Sequence, residues 1–169
     1  MATVVRAARK DDAAAIARIY GQGIDERIAT FETEPRGTAD IEALLESAGD
    51  RYPHVVAERG GVVVAWAGAS RYRPRACYDG IAEFSVYTER AARGTGAGRA
   101  AMEGLTAACE ERGFWKLVSR VFPENAASRS LLAGLGFREV GLYRRHAKLD
   151  GDWHDVVIVE KLIGEAAHE

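Results

Sequence analysis

The sequence is short of several things, and each shortage excludes a class of protein. Cysteine occurs twice in 169 residues, at Cys77 and Cys109, far apart and without the spacing of metal ligands. A disulfide framework or thiolate metal centre is therefore not expected, and a reduced, cytoplasmic setting is the simplest one. No apolar run is long enough to cross a bilayer, and "MATVVRAARKDD" lacks the pattern of a secretory leader. A membrane partner is not expected. Neither sign of charge dominates: 23 Lys and Arg face 25 Asp and Glu, the formal net charge is −2 and the pI is near 6.1. Without a basic block, nucleic acid is not an expected partner. No repeat and no linker composition interrupts the chain, which is long enough for one core and too short for two. Residues 1–163 read as one domain and 164–169 as a flexible tail.

What is present is a regular alternation of short elements. "TVVRAA" (3–8) reads as a strand. Ala14, Ile16, Ile19 and Tyr20 then recur at helical spacing, with Asp11 or Asp12 as the cap. "DERIATFETEPRGT" has no period and reads as a loop. "TADIEALLESAG" predicts a second helix, capped by Thr38 or Asp40 and stopped by Gly49. Gly60-Gly61 joins two β-rich runs into a hairpin, and "IAEFSVYT" (81–88) is a further strand. A helix runs to about Arg112 before Gly113. "FWKLVSRV" reads as a strand, a helix starts at Asn125, and a last hairpin turns at Asp150-Gly151. The order β-α-α-β-β-β-α-β-α-β-β describes a mixed α/β, α+β-like domain with an antiparallel meander in its middle.

Chemistry concentrates in "RGTGAGR" (93–99), between a strand and a helix. Glycine costs about 1 kcal/mol against alanine inside a helix, so three of them at alternating positions suggest main-chain amides that must approach something closely. Free amides at a helix N-terminus suit an anion. No Lys-Ser/Thr follows, so this is not a Walker loop, and "GTGAGRAAM" lacks the third spaced glycine of a dinucleotide fingerprint.

The loop resembles the R/Q-x-x-G-x-G/A segment of the GNAT superfamily of acetyltransferases, with Arg93, Gly96 and Gly98 at the named positions. "ENAASRSLLAGLGF" resembles that family's closing motif. The resemblance implies the GNAT fold, with a mostly antiparallel sheet splayed at a cofactor cleft after the position of Val86. It implies acetyl-CoA as co-substrate and no metal. The loop residues Arg93, Gly94, Thr95, Gly96, Ala97, Gly98 and Arg99 would hold the diphosphate. Val86, Tyr87 and Thr88 would offer main-chain groups to the thioester and pantetheine arm, and Asn125 and Ser128 would meet the same arm. Asn125 is also an ordinary helix cap, and the two roles are compatible.

"FETEP" (31–35), "RYPHVVAE" (51–58), "AEFSVYTERAARGTGAG" (82–98) and "GDWHDV" (151–156) sharpen the resemblance to the phosphinothricin-type N-acetyltransferases. These include enzymes for arsinothricin and for methionine sulfoximine or sulfone. Strand alternation puts Ala82, Phe84 and Val86 on one face and Glu83, Ser85 and Tyr87 on the other. Glu83 is the candidate base that takes the acceptor's ammonium proton; a solvated strand carboxylate is the alternative. Arg73 and Arg75, with Arg71, form a basic set in "SRYRPRACY", sharing a face if the stretch is extended; guanidiniums pair well with oxyanions. The resemblance assigns Arg73 and Arg75 to the acceptor's charged end, and Phe31, Tyr78 and Tyr87 to its carbon chain.

One departure is Leu132, where many relatives carry a Tyr or His proton donor; a thiol with a pKa near 8.5 can leave without one. Cys109 has no His nearby in sequence and reads as core, which favours direct transfer in a ternary complex over a covalent enzyme intermediate. His54 and His146 read as structural or surface residues. Trp153 and His154 are either packed on the last hairpin or close to a second subunit, since a homodimer is implied. The expected activity is acetylation of the α-amine of a small glutamate mimic, arsinothricin or phosphinothricin, which would confer resistance by detoxification. Methionine sulfoximine or sulfone, another amine or a protein N-terminus, and a non-catalytic acyl-CoA-binding module remain alternatives.

Overall fold

A computed structural model of the chain describes residues 1–168. In chain order these form β1 (Val4–Ala7), α1 (Ala13–Glu26), α2 (Thr38–Ala48), β2 (His54–Arg59), β3 (Val62–Arg71), β4 (Ile81–Thr88), α3 (Ala97–Glu111), β5 (Lys116–Val121), α4 (Ala126–Gly134), β6 (Arg138–Leu149) and β7 (Asp152–Leu162). That is the order the sequence predicts. Short 3-10 turns lie at Lys10–Asp12, Ala76–Tyr78, Arg90–Ala92 and Gly164–Ala167. The last falls within the segment expected as a tail, of which Glu169 lies outside the described residues.

The sheet runs β1-β2-β3-β4-β5-β7-β6. Its pairings are antiparallel except β4–β5, which is parallel and holds for three residue pairs, from Ile81↔Lys116 to Glu83↔Val118. The two strands then part, leaving that edge of β4 without a ladder partner. The splay thus begins after Glu83, three residues before the expected point at Val86. Ser119 Oγ donates to the Phe84 carbonyl at 2.8 Å and takes over where the ladder ends.

Alternation along the strands feeds two cores. Ala65, Ala67 and Ala69 on β3 and Ala82 and Phe84 on β4 pack with Met102, Leu105 and Cys109 of α3. On the opposite face, Trp66 and Val56 pack with Ile16, Ile19 and Ile24 of α1 and Ile41 of α2. Alanines on one side let α3 sit close to the sheet, while the large side chains on the other carry α1 and α2 (apolar burial contributes roughly 25 cal/mol per Å²).

Several local expectations are corrected. Ala13 rather than Ala14 faces the core of α1. Asp12 does not cap α1: its carboxylate turns back to accept from the Arg9 amide at 2.7 Å and from both Arg6 Nη atoms at 2.8 Å. Gly37, not Thr38, is the N-cap of α2, and Asp40 reaches back to accept from the Gly37 amide at 2.9 Å. Helix α1 continues through Gly21 and Gly23 to Glu26, into the expected loop. Gly23 is required there, because a Cβ would stand 2.7 Å from the Tyr87 ring.

Candidate active site

The splay between β4 and β5 opens a cleft that runs through the sheet. At one end a cavity of about 400 Å³ is lined by Thr88, Gly94, Gly96, Gly98, Asn125 and Ser128, among others. It meets a narrow neck of about 60 Å³ between Phe84–Val86 and Ser119–Val121, with Leu132 at its wall. Beyond lies a cavity of about 360 Å³ lined by Phe31, Ser70, Glu83, Tyr87, Arg120 and Val156, among others. Tyr87 and Ala29 line all three spaces.

The glycine loop is built to leave donors free. Gly94 (φ 72°) and Gly96 (φ 90°) adopt the left-handed region, where a Cβ is unfavourable, and turn the chain into α3. Among the described residues, none of the main-chain N–H groups from Gly94 to Arg99 donates to a protein oxygen; the first to do so is Ala100, to Gly96 at 3.0 Å. These amides and the positive end of the helix dipole form an anion cradle. Gly98 lies inside the first turn of α3 rather than in the loop, and a Cβ there would stand 2.7 Å from Thr88 Oγ1. Its role is close approach of helix to strand.

The side chains of Thr95 and Ala97 do not reach this cavity. Thr95 Oγ1 accepts from Arg59 Nη1 at 2.6 Å and donates to the Ala92 carbonyl, and Ala97 is in the core. Arg59 thereby braces the loop from β2. Arg93 is held by Glu26 through two hydrogen bonds of 2.6 and 2.7 Å, which lower the Glu26 carboxyl below its ordinary range. Arg99 lines the cavity and pairs with Glu103 at 3.0 Å. Asn125 Oδ1 accepts from the Ser128 amide at 3.1 Å, so the cap occupies the oxygen of a residue that also lines the cavity.

Glu83 sits at the last rung of the ladder, half-buried, with Arg120 Nη2 3.3 Å from its Oε1. Phe31 closes this end with Phe122 and His154, at centroid distances of 4.7 and 6.2 Å. Tyr87 stacks on Trp66 and meets Tyr20 edge-on; burial pushes its phenol well above the ordinary value. Leu132 is buried at the neck and has no proton to give. Cys109 is in the core, and burial pushes its thiol up to about 12. His54 is not a surface residue. It is mostly buried against Trp66, accepts from Trp66 Nε1 at 3.2 Å, and burial lowers its pKa to about 4.

The structure does not bring Arg73, Arg75 and Tyr78 into the Glu83 cavity. Strand β3 ends at Arg71, and the chain coils into the turn at Ala76–Tyr78, so the three arginines do not share an extended face. Arg71 donates to the Pro74 carbonyl at 2.9 Å. Arg73 lies in solvent over the Tyr72 ring, close enough for Tyr72 first, and Glu83 less, to raise its pKa. Trp153 is 57% exposed, with Lys148 Nζ 4.7 Å from its ring centroid. Among the described residues there is no cluster of His, Cys, Asp and Glu that would hold a metal.

Arg120 was missed from sequence. Its signal lies in "LVSRV": Leu117, Ser119 and Val121 take one face and Val118 and Arg120 the other. Only the parallel pairing Glu83↔Val118 shows that this second face is Glu83's.

With this geometry in place, comparison with known proteins is informative. The acetyltransferase (GNAT) family profile matches residues 21–137. The chain is 35% identical over 162 residues to the phosphinothricin N-acetyltransferase of Alcaligenes faecalis, covering 95% of this chain and 82% of that one. A GNAT superfamily phosphinothricin acetyltransferase from Sinorhizobium meliloti, solved with acetyl-CoA, superposes with a TM-score of 0.92 at 30% identity, covering 100% of this chain and 92% of that one. A ribosomal-protein-alanine N-acetyltransferase from Brucella melitensis superposes with a TM-score of 0.90, also at 30% identity, covering 95% of this chain and 99% of that one. The profile spans most of the chain and includes both the splayed strands and the amide cradle: the chain belongs to the acetyltransferase (GNAT) family.

Proposed function

We propose that the chain transfers the acetyl group of acetyl-CoA to the α-amine of a small glutamate-mimic amino acid, arsinothricin or phosphinothricin, and so detoxifies it. The observation that carries this reading is the row of uncapped amides from Gly94 to Arg99 at the mouth of a cleft whose far end holds Glu83. A diphosphate fits that row by charge and by hydrogen-bonding sense, and Gly98 leaves no room for a side chain beside Thr88. Bound there, acetyl-CoA supplies an acetyl group activated as a thioester.

The residues divide the remaining work. Asn125 Nδ2 and the unpaired edge of β4 at Val86–Thr88 orient the arm through the neck, where main-chain donors are placed to meet negative charge on the acyl oxygen. Glu83 accepts a proton from the acceptor's ammonium, which makes the nitrogen a nucleophile. Transfer is direct, because Cys109 is sealed in the core as a thiol. No acid is assigned to the departing sulfur, since Leu132 fills that place. Phe31 and Tyr87 shape the space for the acceptor's carbon chain, and Arg73 and Arg75, exposed outside this cavity, are assigned its oxyanionic end.

A homodimer is part of this reading. Strand β6 is a sheet edge exposed along nearly its whole length, with Val140, Leu142 and Tyr143 about half exposed, and Trp153 exposed farther along the same hairpin. A second copy would cover these apolar groups and bring its last hairpin near the acceptor end.

The test is thiol release from acetyl-CoA with arsinothricin, phosphinothricin, methionine sulfoximine and methionine sulfone compared by kcat/KM. The two oxyanionic mimics are expected to lead. Turnover only with peptides that begin with a free α-amine would overturn the reading in favour of a protein N-terminal acetyltransferase; the Brucella melitensis neighbour is named for acetylating ribosomal-protein alanine.

A further inference from the structure

The cavity beside Glu83 is lined by two carboxylates and one guanidinium. Glu32 is already matched, because Arg36 holds it through Nε at 3.0 Å and Nη2 at 2.6 Å. Glu83 pairs with Arg120, while Arg73, in solvent, feels its charge from farther off. The 3.3 Å approach of Glu83 and Arg120 is an ion pair, not an aligned hydrogen bond, and among the described residues neither side chain hydrogen-bonds to anything else. That sets Arg120 apart from Arg6, Arg36, Arg93 and Arg129, each of which grips a carboxylate through paired hydrogen bonds. Its five donors are largely unspent, and its side chain is 47% exposed at the acceptor's end of the cleft.

Register explains why it is there. The parallel pair Glu83↔Val118 puts Val118 on Glu83's face, and Arg120, two residues on, shares that face. Its antiparallel neighbour is Ile158 of β7, and the Phe122 and Val156 side chains wall the same space. The guanidinium thus stands one contact away from the base, in a pocket whose other walls mix Phe31, Phe122 and Val156 with Thr30, Ser70, Ser85 and the already matched Glu32.

An α-amino acid carries an ammonium and a carboxylate on a single carbon. A nitrogen placed at Glu83 therefore places the carboxylate within reach of Arg120. We infer that Arg120 selects acceptors with a free α-carboxylate, by pairing with that carboxylate and releasing Glu83 to the ammonium. A peptide N-terminus presents a neutral amide at the same position, and a simple amine presents nothing. In both cases Arg120 stays on Glu83 and repels the incoming cation. The inference rests on the α-amino-acid acceptor proposed above and assigns the group that enforces it. Arg73 and Arg75 then remain free for the distal end of the molecule.

The test uses the full chain in a thiol-release assay with L-phosphinothricin and L-methionine sulfone, each paired with its α-carboxamide. The wild type is expected to favour each acid over its amide by about 30-fold or more in kcat/KM, the scale of a charged hydrogen-bonded pair. Arg120→Gln should collapse that ratio from both sides, raising KM for the acids and, with the repelling charge gone, lowering it for the amides. Arg120→Lys should restore part of it, and an unchanged KM for acetyl-CoA reports an intact fold in both variants. If the acid preference survives in Arg120→Gln, the inference falls while the proposed function stands. If the wild type uses acids and amides equally, the inference falls and acetyl transfer stands. If the wild type acetylates no amino acid at all, both fall together.

Discussion

At the scale of single residues, Glu83 and His54 show how position sets proton chemistry. Replacing Glu83 by Gln should lower kcat/KM about 10²- to 10³-fold near neutral pH, the usual contribution of a positioned base. The KM for acetyl-CoA should hold, since the amide cradle is far from the change. Equal loss across the pH profile of wild type and variant would remove Glu83 from that role. His54 makes a separate prediction about stability. Burial lowers its pKa to about 4 from an ordinary 6.5, so the unfolded chain binds a proton in a range where the folded one does not. Stability should therefore fall as pH drops from about 6.5 toward about 4, by as much as about 2–3 kcal/mol. His54→Gln, which can still accept from Trp66, should flatten that limb in thermal melts at stepped pH. Asp12 acts in a lower window. Its carboxyl is depressed mainly by hydrogen bonds from Arg6, so its contribution is complete above about pH 4 and is lost as pH falls further. A second drop in melting temperature below that point should vanish in Asp12→Asn.

At the scale of elements, the decisive piece is the turn from β4 into α3. Gly96 holds φ at 90°, and an L side chain there costs about 1–2 kcal/mol. Gly96→Ala should lower the melting temperature and raise KM for acetyl-CoA while leaving KM for the acceptor nearly unchanged; an unaltered acetyl-CoA KM would dissociate the turn from cofactor binding. Elements of this kind were legible in the sequence because each carries its own period and its own stop: Gly60-Gly61, Gly113 and Asp150-Gly151 all adopt positive φ where the chain turns. Caps were less legible, because the Asp12 carboxylate is taken by Arg6 and the Arg9 amide instead of the first turn of α1. For a similar reason the stretch that would have to be extended for Arg71, Arg73 and Arg75 to share a face is not extended. "SRYRPRACY" alternates like a strand, but pairing with β4 runs out at Arg71↔Ala82, and without a partner the segment coils. Arg120 stayed hidden because a strand shows that it has two faces, whereas which face meets a given neighbour is decided by pairing far away in sequence.

At the scale of the whole molecule, the sheet ends on one side in β6, where Val140, Leu142 and Tyr143 are about half exposed within a single chain. In the homodimer proposed above, Leu142 and Tyr143 lie at the centre of contact. Leu142→Glu should shift the protein from dimer to monomer in light scattering at micromolar concentration; a wild type that already runs as a monomer would count against the assembly. The other whole-molecule feature is the short parallel seam. Three rungs and the Ser119–Phe84 bond are what stitch the β1–β4 half to the β5–β7 half through the plane of the sheet. A guest lodged in that gap becomes a keystone, tying both halves at once. Amide hydrogen exchange should then slow together at 84–88 and 119–121 when acetyl-CoA is added, while β1 and β2, on the far flank, keep their own pace.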